Sequence, residues 1–373
     1  KSRIRKNTAE YKWIGFSCEN RGKEMVRSGG NAMTKMKTIF VVIFLALLIP
    51  VLLAAPESEA KVYQGKWKNN TTWNYDTREN TLMIKCCGKM IDDIEDCGEH
   101  SGWPRFYTSA QKIVLVKGIT YIGSGAFEGF SHIKKIQIPN GVTQIGKSAF
   151  EDCYKLHKIY FPETLKSIEN DAFNATAIEE ISLKNIEFLV ESCFSGSQLK
   201  KVHILRKNKK IGAYVFEGCK KLKKATIEKG VKNISDGMFR ATSLKNITIP
   251  GSVTKIGEDA FSYCQNLKKA TLHEGVKKIS KDAFSNTALE EITIPSTVTK
   301  LGKNAFRWES TEKSSLKKVV IRSKNIKKWG TMVFGATRDD LVIYVPQRKK
   351  AEYEKILRST NGLDFHAKIV GKK

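Results

Sequence analysis

The sequence is poor in cysteine and proline and lacks repeated membrane-length apolar runs. Its 373 residues include eight Cys, eight Pro and 27 Gly. So few cysteines exclude a disulfide-stapled scaffold, and so little Pro and Gly excludes a collagen-like chain. Hydrophobic residues make up 41% and charged residues 28%, which excludes a polytopic membrane protein and an ordinary disordered chain.

Motifs of catalysis and metal binding are also missing. The chain has no G-x-S-x-G elbow, no phosphate-binding P-loop and no H-E-x-x-H. Its six His are spread along the chain, and none stands at a metal-ligand spacing from Cys, Asp or Glu. We therefore predict a protein that is not an enzyme and that uses no cofactor or metal. Turnover of an acidic glycan by the purified protein would be the evidence for an unrecognised catalytic site.

The most apolar stretch lies near the N-terminus. Ile39–Ala55 is 17 residues long, is interrupted by Pro50 and follows Lys35 and Lys37. A positive segment before an apolar one is typical of a secretory signal peptide, which we predict at residues 33–60. The competing interpretation is a retained anchor, but the stretch is short for a spanning helix, which needs about 20 residues.

The predicted signal peptide also defines the start of the mature chain. Ser58 and Ala60 supply small residues at the −3 and −1 positions of a cleavage site. Since signal peptides begin a chain, residues 1–32 are interpreted as upstream translation that is not part of the mature protein. The mature protein is then expected to be secreted or loosely associated with the cell surface, with no integral membrane span after cleavage.

A phenylalanine recurs every 21 to 23 residues over most of the chain. The column is Phe127, Phe150, Phe173, Phe194, Phe216, Phe239, Phe261, Phe284 and Phe306. An aliphatic residue stands five positions before each Phe, and a segment of the type L-x-x-I-x-I usually follows. A tenth, degenerate unit contains Trp329 and Phe334. This period with an alternating aliphatic strand predicts a leucine-rich repeat solenoid, in which stacked units share one core.

The repeat unit resembles the BspA-type leucine-rich repeat family. Residues 145–153 and 256–264 both read I-G-x-x-A-F-x-x-C, and the likeness extends over about residues 113–345. The resemblance implies secreted or surface-exposed bacterial proteins, several of them adhesins. The predicted fold is a solenoid of about ten 21–23-residue units, with a parallel β-sheet on the concave face and a cap at each end.

The two caps are predicted at residues 61–112 and 346–373. An end unit exposes half of an apolar core and an open sheet edge, which must be covered. The first segment is rich in aromatic residues, including Trp73 and Trp103, and the second begins with a predicted helix over 347–358. A carbohydrate-binding platform is the competing interpretation of the aromatic cluster.

The cysteines fall into two groups. Cys153, Cys219 and Cys264 each stand three residues after a repeat Phe, and with Cys193 they are predicted to be small buried side chains. Cysteines two units apart are about 10 Å from each other, too far for a disulfide. In the N-terminal cap we predict one disulfide, which joins Cys97 to Cys86 or Cys87; the spacing leaves the choice open.

The predicted binding surface is the outward face of the strands. In L-x-x-I-x-I, the two positions that flank the middle Ile point away from the core. They place a lysine column beside a Thr-rich polar column. The candidate contact residues are Lys135, Lys158, Tyr160, Lys201, His203, Lys224, Lys269 and Lys318.

These columns, with a formal net charge of +27, lead to three interpretations. The first is a binding or adhesion module for a protein or acidic glycan on a host or neighbouring cell. The second is a polyanion-binding protein that its charge retains on the producing cell's own envelope. In the third, the lysines only keep the protein soluble. Nucleic acid is not an expected partner, because lysine lacks the planar fork that arginine uses for specific recognition. No oligomeric state follows from these patterns.

Overall fold

The repeats fold as a parallel β-solenoid of about eleven turns. The computed structural model describes residues 60–68, 70–90, 92, 102–309, 314–360, 363 and 366–373. The predicted upstream segment and nearly all of the predicted signal peptide lie outside these ranges, as does Cys97. Ala60–Lys373 forms one compact unit.

Most turns of the solenoid add two strands, a longer one of three to five residues and a shorter one, usually of two. In chain order the elements are β1 Val62–Trp67, β2 Thr71–Asp76, β3 Thr81–Lys85, β4 Gly88–Lys89, β5 Lys112–Leu115, β6 Ile119–Ile122, β7 Lys135–Gln137, β8 Gln144–Ile145, β9 Lys158–Tyr160, β10 Ser167–Ile168, β11 Phe188–Leu189, β12 Lys201–Ile204, β13 Lys210–Ile211, β14 Lys224–Ile227, β15 Asn233–Ile234, β16 Asn246–Ile249, β17 Lys255–Ile256, β18 Lys269–Leu272, β19 Lys278–Ile279, β20 Glu291–Ile294, β21 Lys300–Leu301, β22 Lys318–Ile321, β23 Lys328–Trp329, β24 Val342–Pro346, helix α1 Lys350–Thr360 and β25 Lys368–Lys372.

The two kinds of strand form separate sets of sheets. The long-strand sheets pair β7 with β9, β12 with β14, and β16 through β18, β20, β22 and β24 to β25. The short-strand sheets run from β4 to β13 and from β15 to β23. Side chains alternate along each long strand. In β16, for example, Ile247 and Ile249 are buried, whereas Asn246 and Thr248 are exposed.

The phenylalanine column forms a continuous stack through the core. The ten Phe rings from Phe127 to Phe334 have neighbouring centroids 5.0–6.2 Å apart and interplanar angles of 1–20°. Nearly all of these rings are fully buried. Burying such a ring contributes about 1.5–3 kcal/mol relative to exposure, so the stack explains why Phe recurs in every unit.

The turn that carries each Phe requires a left-handed backbone on both sides of the ring. Residues two before and two after the Phe have φ near +50 to +70° in almost every unit. Gly, Asn and Asp tolerate this conformation, and many units place them there, as in Gly125 and Asp171. Tyr214 and Met332 occupy the same position with φ of 57° and 55°.

The first turns of the solenoid include part of the predicted N-terminal cap. β1, β2 and β3 pair in antiparallel fashion, whereas β3 pairs in parallel with β5 and β4 with β6. Trp103 is fully buried, stacks on Phe127 at 6.5 Å and donates a hydrogen bond from Nε1 to the Ala126 carbonyl. The parallel arrangement therefore begins within residues 61–112.

Helix α1 packs against the last turns. The buried Tyr353 lies edge-on to Trp329, accepts a hydrogen bond from the Ile326 amide and donates one to the Ser323 carbonyl. The predicted tail after the helix contains β25, which pairs in parallel with β24. The sequence pattern did not predict this last strand.

The fourth unit corrects the predicted strand pattern. Applied to this unit, the L-x-x-I-x-I pattern predicts a strand over residues 178–183 with Glu180 and Ser182 on its outward face, but the structure has no strand there. This unit is the shortest, with 21 residues from Phe173 to Phe194, and its apolar Ile178 and Leu183 are still buried. The core is therefore kept while the strand pairing of the neighbouring units is lost.

Asn208 supplies hydrogen bonds at this interruption. It stands in a column that is otherwise mostly aliphatic, and it is buried. Its amide group donates to the carbonyls of Leu183 and Ile186 and accepts from the Leu205 amide. Buried carbonyls need such partners, which explains the break that Asn208 makes in the apolar pattern.

The cysteines of the repeats are buried, as predicted. Cys153, Cys193, Cys219 and Cys264 are free thiols with no exposure. Cys86 is buried and Cys87 is exposed; their predicted partner, Cys97, lies outside the described ranges, so the disulfide stays a prediction.

Candidate functional site

The lysine column occupies consecutive outward positions of the long strands. The candidate lysines are all exposed and begin their strands: Lys135, Lys158, Lys201, Lys224, Lys269 and Lys318. Lys135 is the Cα partner of Lys158, and Lys201 is the partner of Lys224. We call these outward positions of the long strands the strand face.

Two carboxylates divide the lysine column. Glu180 lies 3.1 Å from Lys201, and Glu291 lies 3.3 Å from Lys318. Exposed ion pairs contribute little to stability, but each one neutralises a charge that a ligand would otherwise meet. Among the described residues, no carboxylate lies within 4.0 Å of Lys135, Lys158, Lys224 or Lys269, so the uncompensated charge lies in two separate groups.

Tyr160 stands in the first of these groups. Its ring is 48% exposed, which is high for an aromatic side chain. The Lys158 ammonium lies 5.3 Å from the ring centroid, a cation–π distance, and a hydrogen bond with Tyr160 raises the pKa of Lys158. Lys158 therefore stays fully charged at neutral pH beside an exposed aromatic ring.

Two open cavities meet at Tyr160. One, of about 570 Å³, lies over the strandless fourth unit and is lined by Tyr160, Glu179, Ser182 and Asn185. The other, of about 900 Å³, is lined by Tyr160, Lys112, Lys135 and Asn140. The loss of a strand in the fourth unit thus leaves a recess beside the ring, and Tyr160 forms part of both walls.

His203 is placed apart from Tyr160. It is exposed on β12, opposite Thr226, and the strandless unit lies between β9 and β12. Beyond it the polar column continues with Thr226 and Thr248. The structure therefore does not assemble the predicted contact residues into one pocket; they form a row along the strand face.

Two features of this surface were missed by the sequence reasoning. Glu179 lies 2.6 Å from Lys200 and 3.9 Å from Lys221, and its hydrogen bond with Lys200 lowers its pKa. Glu179 is outside the two predicted columns, so the pattern gave no reason to select it. The second feature is a group of lysines on the short-strand sheets. These lysines stand at the position directly before the aliphatic residue of the repeat.

The chemistry available on the strand face is that of binding. Within the described ranges, no group of three or more His, Cys, Asp and Glu side chains is arranged to hold a metal ion. The searched residues include no helix of sufficient length and apolarity to cross a membrane. Exposed ammonium groups, hydroxyls and one aromatic ring suit an anionic or polar ligand.

The parallel turns, the phenylalanine stack and the strand face define the class of leucine-rich repeat proteins. Residues 105–211 and 187–313 match the model of the BspA type leucine-rich repeat region, in six copies. The chain therefore belongs to the BspA-type leucine-rich repeat family, which confirms the predicted resemblance. Proteins of this repeat class typically bind other proteins and are typically non-catalytic.

Solved structures show the same fold. A leucine-rich repeat protein from Eubacterium ventriosum ATCC 27560 is 22% identical, with a TM-score of 0.54 over 76% of this chain and 84% of that chain. A leucine-rich repeat protein from Bacteroides ovatus ATCC 8483 is also 22% identical, with a TM-score of 0.52 over 81% and 89%. No curated protein sequence matches the chain.

Proposed function

We propose that this protein is an exported, cell-surface-associated binding module that attaches to a protein or acidic glycan of a host or neighbouring cell. Membership in a family of surface-type repeat proteins supports this role. The observation that carries the choice of surface is Tyr160, an exposed ring between two cavities with Lys135 and Lys158 beside it. Aromatic side chains with adjacent cations are typical anchors of recognition sites.

The contact surface is tested by attachment of the labelled protein to cultured epithelial cells and to intact bacteria, measured by flow cytometry. Tyr160→Ala combined with Lys135→Gln should lower attachment at least about tenfold, since anchor residues cost about 2 kcal/mol or more when truncated. Thr293→Ala, on the same face six units further along, is the control and should leave attachment unchanged. Equal attachment of all three proteins would exclude the Tyr160 region as the contact surface.

Export is a separate part of the proposal. Cleavage after Ala60 would leave Lys61 as the first residue of the mature protein. N-terminal sequencing of the protein from culture supernatant and from washed cells should find Lys61 in one or both fractions. A protein that retains residues 33–60 in the membrane fraction would instead show that the apolar segment is an anchor.

A further inference from the structure

We propose that the short-strand sheet carries a second binding surface, which takes a linear anionic polysaccharide. Its centre is the lysine ladder, defined as Lys255, Lys278, Lys300 and Lys328. These lysines lie on four consecutive strands, and each is the Cα partner of the next in parallel pairing. Since neighbouring strands are about 4.8 Å apart, the ladder extends for roughly 14 Å along the solenoid.

The lysine ladder is not a general feature of the repeat. In the six repeat units before the ladder the same structural position holds Tyr121, Gln144, Ser167, Phe188, Lys210 and Asn233, so an uninterrupted run of lysines begins only at Lys255. A position that accepts aromatic, amide and hydroxyl side chains does not require lysine for folding. The lysines are therefore a local property of the C-terminal turns, unlike the column on the strand face, which recurs along the whole solenoid.

The charge around the ladder is concentrated and largely uncompensated. The segments of Lys278, Lys300 and Lys328 (276–284, 298–306 and 326–334) hold seven lysines and one acidic residue, whereas the Lys255 segment, 253–261, holds one lysine and two acidic residues, and the equivalent segments 119–127, 142–150 and 165–173 hold two lysines and two acidic residues. The one acidic residue, Asp282, pairs with Lys281 at 3.5 Å.

Within the ladder itself only one lysine has an acidic partner. Lys255 lies 3.2 Å from Asp236, whereas no described carboxylate lies within 4.0 Å of Lys278, Lys300 or Lys328. Like charges directly opposite each other destabilise a sheet, and Lys278 and Lys300 are also half-buried. A row of anionic groups along the ladder would remove this repulsion, which is why the surface fits an anionic partner.

The chemistry of the ladder favours a polysaccharide over other polyanions. Lysine binds as a point charge and lacks the fork that favours bidentate phosphate recognition. Single-stranded nucleic acid would need exposed aromatic rings for base stacking, but the only aromatic residue on these strands, Trp329, is half-buried against Tyr353. A protein partner would need an apolar centre, and β17, β19, β21 and β23 expose no large apolar side chain.

The partner's geometry follows from the ladder. A linear polymer that runs along the solenoid meets one ammonium group per turn. A polymer whose carboxylate or sulfate groups repeat at about 5 or 10 Å would match every turn or every second turn. The surface is on a different set of sheets from Tyr160, so this inference does not depend on the proposed function.

The test compares two triple variants that remove the same charge, with immobilised heparin as the probe. Lys278→Gln, Lys300→Gln and Lys328→Gln remove most of the ladder; Lys201→Gln, Lys224→Gln and Lys269→Gln remove three lysines of the strand face. At 0.15 M NaCl the ladder variant should bind about tenfold or more weakly than the wild type, and the strand-face variant less than about threefold. The dependence of log Kd on log salt should also fall by about one per ladder lysine removed.

Three outcomes would overturn the proposal. The first is that the wild type does not bind heparin, and the second is that both triple variants lose affinity equally. The third is that a single-stranded DNA of matched length binds as tightly as heparin through the ladder. Circular dichroism and thermal unfolding of both variants establish that the fold is intact. The single variant Lys300→Gln repeats the comparison of heparin affinity with the wild type while changing only one residue. Attachment of the Tyr160 variant to cells is measured separately, so failure of one proposal leaves the other standing.

Discussion

At the residue scale, small polar side chains that stand three residues after a repeat Phe form hydrogen bonds with the backbone of the turns. Thr176, Thr242 and Thr287 donate a hydrogen bond from Oγ1 to the carbonyl of their own Phe. Cys219 and Cys264 instead donate from Sγ to the Phe carbonyl of the preceding unit. Cys and Thr therefore both act as small hydrogen-bond donors in this column, which gives the repeat cysteines a structural role.

Burial of Cys219 predicts a loss of stability at alkaline pH. Burial raises the pKa of Cys219 to about 12, whereas an unfolded cysteine has a pKa of about 8.5. Because the folded-state pKa is the higher one, the contribution is fully present below about pH 8.5 and is lost as the pH rises towards 12. At pH 10 the loss from this thiol should be about 2 kcal/mol.

Urea unfolding at pH 7.5 and pH 10 measures this loss. Cys219→Thr keeps a hydrogen-bond donor but cannot ionise, so its free energy of unfolding should fall by about 2 kcal/mol less than that of the wild type between the two pH values. Lysine and tyrosine titration affects both proteins alike. An equal fall in both would show that Cys219 does not couple folding to pH.

Gly237 provides a second test at the residue scale. Its φ is +59°, and a Cβ built there overlaps the ring of Tyr214, which sits at the same position one unit earlier. Gly218 has a similar φ of +66°, but a Cβ there meets only Gly196, at 3.8 Å. Gly237→Ala should lower the free energy of unfolding by about 2–4 kcal/mol through backbone strain and overlap, and Gly218→Ala by about 1–2 kcal/mol.

A double variant separates the backbone strain at Gly237 from the overlap with the Tyr214 ring. When Tyr214→Ala is introduced first, Gly237→Ala should cost no more than Gly218→Ala, since the overlap is gone and only the backbone strain is left. Chemical denaturation of the wild type, the three single variants and the double variant gives the comparison. If Gly237→Ala costs the same with and without the Tyr214 ring, the overlap is relieved in solution.

At the element scale, the fourth unit shows how the solenoid tolerates a missing strand. The unit keeps its buried side chains but loses its pairing with β9 and β12, and Asn208 from the following unit donates hydrogen bonds to the buried carbonyls of Leu183 and Ile186. The recess that results borders Tyr160. The missing strand thus makes this part of the strand face the one that departs most from the repeat pattern.

The role of Asn208 predicts that restoring the repeat pattern destabilises this protein. Asn208→Val introduces the residue that stands at this position in five other units, Val142, Val231, Val253, Val276 and Val298. The Ile186 carbonyl and the Leu205 amide would lose their partners, which should cost about 2–4 kcal/mol. Asn246→Lys, which restores the pattern on the exposed face, is the control and should change stability by less than about 0.5 kcal/mol. A gain in thermal midpoint for Asn208→Val would contradict the assigned role.

At the scale of the whole molecule, the chain has a net charge of +27, and the solenoid places lysines of adjacent strands opposite one another. In-register pairs such as Lys278 with Lys300 and Lys135 with Lys158 repel each other across adjacent strands. Salt shortens the screening length from about 30 Å at 0.01 M to about 10 Å at 0.1 M. We therefore expect the thermal midpoint to rise with added NaCl between these concentrations.

A single variant tests whether the alignment causes this rise. Lys300→Glu places a carboxylate between Lys278 and Lys328, which should stabilise the fold by about 0.5–1 kcal/mol at low salt. The increase in thermal midpoint with NaCl should be smaller than in the wild type. If the variant is less stable than the wild type at 0.01 M NaCl, the ladder does not repel itself in the folded protein.

The sequence by itself determined the solenoid, since the period of 21 to 23 residues, the Phe column and the alternating aliphatic strands each specify the same stacked unit. It also determined which lysines face outward, because alternation along a strand is fixed by backbone geometry. These properties are local or repeat with the unit, so they are readable one residue at a time.

Only the tertiary structure decided which turns differ from the repeat pattern. The missing fourth strand, the hydrogen bonds of Asn208 and the pairing of β25 with β24 depend on contacts between units, and no single unit encodes them. The same holds for charge. Glu180 and Glu291 neutralise Lys201 and Lys318 on the strand face, whereas the short-strand pairing aligns Lys278, Lys300 and Lys328 with no such partner in the part of the chain that the structure describes. Where charges meet is set by register between turns, and register is a property of the assembled solenoid.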